Sequence, residues 1–160
     1  MASKREKGLR AEEEFRRWLD RHNIPYWYIQ QDLSTFSPAL RELFIKRPDF
    51  MILVKNFGFI LVDVKNKEPS RKHGTIFIDR DEVLKYSTLQ RNFNLQVWYA
   101  ISNELVHFKT WYWIPVSRVL EIGRSREYES RSGGKYFSIN LSEFIQVSFD
   151  DGLSRIFEKL

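Results

Sequence analysis

Cysteine is absent from this chain of 160 residues, and histidine is scarce, with only His22, His73 and His107. The lack of cysteine excludes a disulfide framework, a thiolate zinc site, an iron–sulfur cluster and a cysteine nucleophile. The three histidines lie too far apart in sequence to form a local metal motif such as HExxH. Thiol chemistry and a local histidine metal site are therefore excluded.

Long apolar runs are missing as well. No stretch approaches the ~18 apolar residues that a membrane span needs, and the charged segment 1–8 lacks the apolar core of a signal peptide. Hydrophobic residues make up 42% and charged residues 29% of the chain, which fits neither a disordered nor a membrane protein. We expect one globular domain, residues 1–160, in the cytoplasm and without a membrane partner.

Positive charge is in excess and unevenly distributed. Lysine and arginine number 26 against 21 acidic residues, which gives a net charge of +5. Residues 39–72 contain eight basic and four acidic residues, so this segment carries +4 of that charge. A basic surface attracts polyanions, of which nucleic acid is the commonest in cells, although many equally basic proteins bind none.

Hydrophobic periodicity predicts an α/β fold with a mixed central β-sheet flanked by helices. The first predicted helix is amphipathic, and Asp79 or Asp81 is expected to cap the third. The predicted helices cover residues 7–22, 37–44 (a short helix or a loop), 79–93 and 152–159. The predicted strands cover residues 26–29, 50–54, 59–64, 75–78, 95–102, 108–116 and 136–141, with a polar loop at 124–135.

Two of these strands form a predicted β-hairpin. A three-residue loop of Asn56, Phe57 and Gly58, with Gly58 in the left-handed conformation, is a common hairpin connection. This loop would place Asp49 opposite Lys65. Because side chains alternate along a strand, Asp49, Asp63 and Lys65 would then project from the same face.

The charged cluster at the end of this hairpin has two explanations. Both faces of the strands are otherwise apolar, and charges at the end of such strands are costly to bury unless they are paired or bound to a metal. Two converging carboxylates would repel each other, which a divalent cation such as Mg²⁺ or Mn²⁺ would relieve. A salt bridge from Lys65 to Asp49 or Asp63 explains the pattern equally well.

The motif around the hairpin resembles the signature of the PD-(D/E)xK nuclease superfamily. Arg47-Pro48-Asp49 precedes an apolar hairpin and Asp63-Val64-Lys65 follows, with the second aspartate fourteen positions after the first. That superfamily places a helix with a glutamate before the hairpin, and Glu12 lies on the apolar stripe of the first helix here. The resemblance implies a restriction-endonuclease-like core over about 8–116, with residues 117–160 as a C-terminal elaboration.

The resemblance also implies an activity: metal-dependent hydrolysis of phosphodiester bonds in DNA, with Mg²⁺ as cofactor and Mn²⁺ as a substitute. Among members of the superfamily, the chain looks most like the small resolvases that cut branched DNA, such as Holliday junctions. Asp49, Asp63 and the Val64 carbonyl would hold the metal, and Glu12 would bind a second metal or orient a metal-bound water. Lys65 would position the attacking water and offset the charge that develops on the phosphate.

Gln90 is a further catalytic candidate. Some members of the superfamily use a glutamine or lysine from the helix after the hairpin, and Gln90 falls on the apolar face of that predicted helix. The alternative is that its side chain binds the backbone.

The implied partner is DNA, with RNA as an alternative, and a homodimer is expected by analogy with small nucleases that cut two strands. Basic residues near the motif and on the first helix would contact the phosphate backbone. These are Lys46, Arg47, Lys67, Arg71, Lys72, Lys7 and Arg10, with Lys4 and Arg5 beside them. Two other hypotheses are a nucleic-acid-binding or interaction module that keeps the fold without cleaving, and a salt-bridged scaffold that binds no nucleic acid.

Overall fold

The computed structural model describes residues 1–29 and 31–158. Helix α1 spans Lys4–Arg21, and Ser3 caps it. The Ser3 hydroxyl accepts a hydrogen bond from the backbone N–H of Glu6, while the Glu6 carboxylate accepts one from the backbone N–H of Ser3. The predicted apolar stripe is the buried side of the helix. Its fully buried residues are Ala11, Phe15, Trp18 and Leu19.

Six strands form the central mixed sheet. Their order is β1-β2-β3-β5-β6-β9, and only the neighbours β3 and β5 run parallel. The strands are β1 (Tyr26–Tyr28), β2 (Phe50–Val54), β3 (Gly58–Asn66), β5 (Val97–Ser102), β6 (Thr110–Pro115) and β9 (Ile145–Ser148).

Three further strands form a separate antiparallel sheet, in the order β4-β8-β7. They are β4 (Thr75–Asp79), β7 (Glu127–Glu129) and β8 (Lys135–Asn140). The sequence predicts β4 and β8 nearly to the residue, but β7 lies inside the segment predicted as a polar loop. The β4–β8 pair joins strands about sixty residues apart, whereas β7 and β8 are neighbours in the sequence.

The remaining helices are α2 (Pro38–Arg41), α3 (Arg80–Phe93), α4 (Val116–Gly123) and α5 (Ser154–Phe157). Ser37 caps α2 and Asp79 caps α3, each by accepting a hydrogen bond from the backbone N–H three residues on. A short helix or a loop is expected at residues 37–44, and the structure has there the single helical turn of α2. Neither α4 nor β9 is predicted from the sequence.

Two apolar cores cover the two faces of the central sheet. One packs α1 against the even-numbered residues of β2 and β3 and against Trp98, Trp111 and Trp113. The other packs the opposite face against α3, α4 and the small sheet, with Tyr86 and Tyr99 near its centre. The hairpin strands are thus covered on both sides, as their apolar pattern predicts.

The β2–β3 hairpin differs from its predicted register by two residues. Val54 pairs with Gly58, so the loop is Lys55-Asn56-Phe57 and Asn56 takes the left-handed conformation with φ 64°. The register sets Asp49 beside Asp63, not opposite Lys65. A shift by two preserves the alternation of side chains, and the three charged residues still share a face.

Helix α1 is held at both ends. Near its start, the side-chain amide of Asn66 donates to the carbonyl of Lys7 over 3.0 Å. Near its end, the Trp18 indole N–H donates to the Asp151 carbonyl over 3.1 Å, and Arg21 pairs with Asp150 at 2.8 Å. These contacts fix α1 against the end of β3 and against the segment after β9.

Among the described residues, no helix combines the length and the apolar character that crossing a membrane requires.

Candidate active site

A cavity of about 580 Å³ lies where the β2–β3 hairpin meets the first half of α1. Its lining contains Glu12, Asp49, Asp63, Val64 and Lys65. Of the residues predicted for catalysis and metal binding, only Gln90 is missing from this cavity. Helix α1, the segment before β2 and the second half of β3 each contribute to it, so folding brings Glu12 and Lys65 into one cavity although they are 53 positions apart.

Asp49 is fixed by the backbone of β3. Its own N–H donates to the Val62 carbonyl over 3.0 Å, and its carboxylate accepts the N–H of Val64 over 2.8 Å. Burial, followed by the charges of Asp63 and Glu12, raises the pKa of Asp49 to about 9. The raised pKa thus reflects burial first, and then the closeness of two other acidic groups.

Glu12 enters the cavity from α1. Its carboxylate accepts a hydrogen bond from the hydroxyl of Tyr28 on β1 over 2.9 Å. Partial burial and this bond raise the pKa of Tyr28 to about 12, which keeps the phenol a hydrogen-bond donor at neutral pH. The neighbouring Glu13 and Glu14 point elsewhere and pair with Arg17, both at 3.1 Å.

Asp63 is buried and surrounded by donors. Its carboxylate lies 3.1 Å from the amine of Lys65 and 3.2 Å from the amine of Lys46, and it accepts a hydrogen bond from the hydroxyl of Tyr86. Burial acts to raise the pKa of Asp63, but the two lysine charges and the tyrosine outweigh it and hold the pKa below its ordinary value. Asp63 and Asp49 are therefore adjacent carboxyl groups with opposite pKa shifts.

Glu82 completes the cluster from the first turn of α3. Its carboxylate binds the amine of Lys65 at 2.9 Å and also the amine of Lys46. Although burial would lower it, the charges of Asp63 and Glu82 raise the pKa of Lys65, so this amine stays an ammonium. The two lysines thus lie between two carboxylates.

Sequence reasoning misses Glu82 and the role of Tyr86. The local signal is weak, because an acidic residue in the first turn of a helix is common and is explained by the helix dipole. Tyr86 falls on the apolar face of the predicted helix and gives no sign of its bond to Asp63. A pattern of Asp79, Glu82 and Tyr86 on one side of α3 becomes informative only when the position of α3 against the hairpin is known.

Gln90 lies away from the cavity. Its side-chain oxygen accepts the backbone N–H of Val97 over 2.9 Å, at the start of β5. This is the backbone-binding alternative considered for the residue, and it joins the end of α3 to the central sheet. The structure does not bring Gln90 to Asp49 or Asp63.

The predicted DNA-contacting residues fall into three groups. Lys46 belongs to the ion-pair cluster, and Arg47 donates to the Asp32 carbonyl over 2.8 Å and stacks on Phe36, so both have partners within the chain. Arg10 pairs with Glu104 at 2.9 Å on the surface. The remaining residues are exposed on α1 or in the turn after β3, or line a second cavity. They are Lys7, Arg71, Lys72 and Lys67.

The donor set suits a hard divalent cation. Three carboxylates and a backbone carbonyl are the oxygen ligands that Mg²⁺ and Mn²⁺ prefer. The raised pKa of Asp49 reflects burial and, after it, a repulsion from Asp63 and Glu12 that a cation would relieve. As the side chains stand, each carboxylate faces a protein donor. Within residues 1–29 and 31–158, no three His, Asp or Glu side chains have the spacing of a metal site.

Comparison with solved structures shows that the chain shares a known fold. Hjc, a Holliday junction resolvase from the archaeal hyperthermophile Archaeoglobus fulgidus, superimposes with a TM-score of 0.56 and 17% identity over 88% of this chain and 95% of the resolvase. A nuclease from a fusselovirus gives a TM-score of 0.51 and 12% identity over 93% and 89%. The chain has a nuclease fold.

Both neighbours are PD-(D/E)xK-like nucleases, so the shared fold agrees with the resemblance and confirms the fold class predicted from the sequence. At these identities the likeness concerns the fold alone. No protein-family model and no curated protein matches the chain.

Proposed function

We propose that this protein is a metal-dependent endonuclease that hydrolyses phosphodiester bonds in DNA, with Mg²⁺ as its cofactor and Mn²⁺ as a substitute. The observation that carries the proposal is the convergence of Glu12, Asp49, Asp63 and Lys65 on one cavity of a nuclease fold. A phosphodiester is a negatively charged substrate, and the exposed lysines around the cavity offer charge of the opposite sign.

Each residue of the site has a distinct role in this proposal. Asp49, Asp63, Glu12 and the Val64 carbonyl would hold the cation. When bound, the cation lowers the pKa of a coordinated water and draws charge from the phosphate oxygens. Tyr28 orients Glu12, and the backbone N–H of Val64 orients Asp49.

Lys65 acts as a fixed positive charge. Because Asp63 and Glu82 keep it protonated, it is suited to orient an attacking water and to stabilise the charge that develops on the phosphate, not to accept a proton. Glu82 positions this lysine through their ion pair.

Branched DNA is the proposed substrate class. The support is the shared fold with a Holliday junction resolvase. The described residues of one chain form one such cavity, so cutting two strands at the same time requires two copies of the protein. We therefore propose that the protein acts as a homodimer, which sedimentation with and without a four-way junction would test, and that it does so in the cytoplasm.

Cleavage of labelled DNA tests the activity. Wild-type protein is incubated with a four-way junction, a duplex, single-stranded DNA and RNA in Mg²⁺, Mn²⁺ or EDTA. We expect cleavage of the junction that requires the metal and falls at least 100-fold in Asp63→Asn, because this change removes a charged metal ligand. Thermal unfolding shows whether the variant is folded.

Glu12→Gln and Glu13→Gln form a matched pair on the same helix. Both remove one negative charge without changing side-chain shape, but only Glu12 lies in the cavity. Loss of cleavage in the first variant alone supports the proposed site. Equal activity of the two variants would contradict a role for Glu12.

A nucleic-acid-binding module without catalysis is the second candidate. It is favoured by the amine of Lys46, which occupies an oxygen of Asp63 at 3.2 Å and thus competes with a cation for that ligand. This function predicts that wild type and Asp63→Asn bind DNA equally and that neither cleaves it in any metal. If the protein is only a binding module, the Lys46→Met variant would also fail to cleave DNA. If it is a nuclease, this variant would bind the metal as tightly as wild type or more tightly.

A further inference from the structure

A second cavity, of about 270 Å³, adjoins the candidate active site. The two cavities share Gly8, Val64 and Lys65, so they adjoin each other where α1 meets the C-terminal end of β3. The first cavity is rich in carboxylates. The second is lined by four lysines, Lys4, Lys7, Lys65 and Lys67, against only two acidic residues.

Both acidic residues of the second cavity already have partners. Glu82 binds Lys46 and Lys65, and Asp79 caps α3 by accepting the backbone N–H of Glu82 over 3.1 Å. By contrast, no carboxylate of residues 1–29 and 31–158 lies within 4.0 Å of Lys4, Lys7 or Lys67. The second cavity therefore has positive charge without a counter-ion among the described residues.

Lys67 is the most constrained of these lysines. Its backbone N–H donates to the Ser102 carbonyl over 3.0 Å, and its own carbonyl accepts the Asn103 amide over 3.0 Å. The side chain is partly buried, and its amine donates to the Phe77 carbonyl over 2.6 Å. Burial and the nearby charge of Lys65 lower the pKa of Lys67, which is the environment that an added anion would relieve.

A partly buried ammonium with only a neutral carbonyl as its partner is costly, since charges inside proteins are normally paired. Lys46 and Lys65, which are at similar depth, both have carboxylate partners. The exception at Lys67 therefore needs an explanation that its own chain does not supply.

We infer that the second cavity binds one phosphate group of the nucleic-acid strand, next to the phosphate held in the active site. This inference rests on the proposed function. A strand presents phosphates at regular intervals, so a strand with one phosphate at Lys65 in the first cavity brings a flanking phosphate toward Lys67. Ammonium groups bind phosphate as point charges.

Such a subsite differs from general attraction to a basic surface. It grips a single defined phosphate on one side of the cleaved bond and thereby fixes the direction of the strand along β3. Exposed lysines and arginines in the turn after β3 would contribute charge without selecting a position.

Lys67→Met and Lys55→Met test the subsite as a matched pair. Each removes one lysine charge and keeps the alkyl stem, but Lys55 lies in the exposed hairpin turn at the other end of β2 and β3. Binding of a four-way junction is measured by fluorescence anisotropy in EDTA over a range of salt concentrations. We expect the slope of log K against log salt to fall by about 1 in Lys67→Met and to stay unchanged in Lys55→Met.

A scan with methylphosphonate linkages locates the contacted phosphate. Each linkage replaces one phosphate charge by a neutral group, and in wild type we expect one position near the cleavage point to weaken binding several-fold. In Lys67→Met that same linkage should have no further effect. If the variant and the linkage weaken binding independently at every position, the subsite is disproved.

Two controls keep the outcome interpretable. Thermal unfolding shows whether the Lys67→Met variant is folded. If it is not, the linkage scan is repeated with Lys7→Met, which changes an exposed lysine of the same cavity. Wild type that binds no nucleic acid overturns both this inference and the proposed function. Wild type that binds and cleaves, with Lys67→Met equal to Lys55→Met, overturns the subsite alone.

Discussion

Asp49 shows how a single carboxyl group responds to its surroundings. It lies partly buried beside Asp63 and Glu12, and its pKa rises from the ordinary 3.8 to about 9. An acid with a raised pKa stabilises the folded state below its unfolded pKa, and this contribution is lost as the pH rises through the folded value. Without metal, Asp49 therefore destabilises the folded protein progressively between about pH 4 and 9.

Urea unfolding in EDTA at pH 5, 7 and 9 measures this effect. We expect the free energy of unfolding to fall with pH in wild type and to change much less in Asp49→Asn, whose side chain cannot ionise. Asp81→Asn, at an exposed position, serves as the control and should follow wild type. Identical pH profiles for wild type and Asp49→Asn would show that Asp49 is not the responsible group.

Gln90 provides a second prediction at the scale of one residue. Removing its side chain in Gln90→Ala leaves the N–H of Val97 without its partner at the start of β5. We expect a loss of about 1–3 kcal/mol in the free energy of unfolding and an unchanged cleavage rate per folded molecule. A large loss of cleavage with unchanged stability would instead restore the catalytic hypothesis for this residue.

Residues that depend on local spacing can be predicted from the sequence. Asp49, Asp63 and Lys65 share a face because of strand alternation, and Glu12 follows from helical periodicity. Glu82 and Tyr86 could not be predicted, since their role depends on where α3 packs. The direction of a side chain within an element is a local property, whereas the position of one element against another is not.

The contact between α4 and β8 is the tightest that a glycine makes in the described chain. A Cβ atom at Gly123 would lie 2.4–2.8 Å from three side-chain atoms of Phe137, which is fully buried. Gly123→Ala would force this ring or the end of α4 to move, at a cost of about 1–3 kcal/mol. Gly152→Ala, where a Cβ meets no atom within 4 Å, is the matched control.

Thermal unfolding compares these two variants. We expect a lower melting temperature for Gly123→Ala and little change for Gly152→Ala. Equal melting temperatures would mean that the α4–β8 contact relaxes without cost.

At the scale of elements, prediction succeeds where the pattern is long and fails where it is short or non-local. The strand at residues 50–54 is an unbroken apolar run and the helix ending at Phe93 has helical periodicity, and both occur with these bounds. Helix α4 begins directly after Pro115 without a side-chain cap, and β9 has only four residues, so neither has a start signal. The predicted register of the β2–β3 hairpin was wrong because Gly58 belongs to β3 and not to the loop.

The C-terminal part of the chain is joined to both sheets of the whole molecule. Strand β8 pairs with β4, and β9 pairs with β6 beside the buried Trp111 and Trp113. A chain ending after Val116 would expose both tryptophans and leave β4 without its partner. Although the sequence predicts residues 117–160 to be an elaboration of the core, we expect the shortened chain not to unfold cooperatively.

Circular dichroism during heating tests this prediction on residues 1–116 and on the full chain. A sharp transition in the full chain and none in the shortened one is the expected result. A cooperative transition in residues 1–116 would show that the C-terminal part is an independent addition.

The contacts that hold α1 at both ends also fix the direction in which Glu12 points around the helix axis. Each residue of an α-helix turns the next by about 100° and advances it by about 1.5 Å. Phe15 and Trp18 are locked into the core, so an alanine inserted between Glu12 and Phe15 would swing the carboxylate a quarter-turn away from Asp49 while the helix remained intact. The helix thus sets the direction in which the Glu12 carboxylate points. For the site to form, the number of helical residues between the two anchored ends matters as much as the presence of the glutamate.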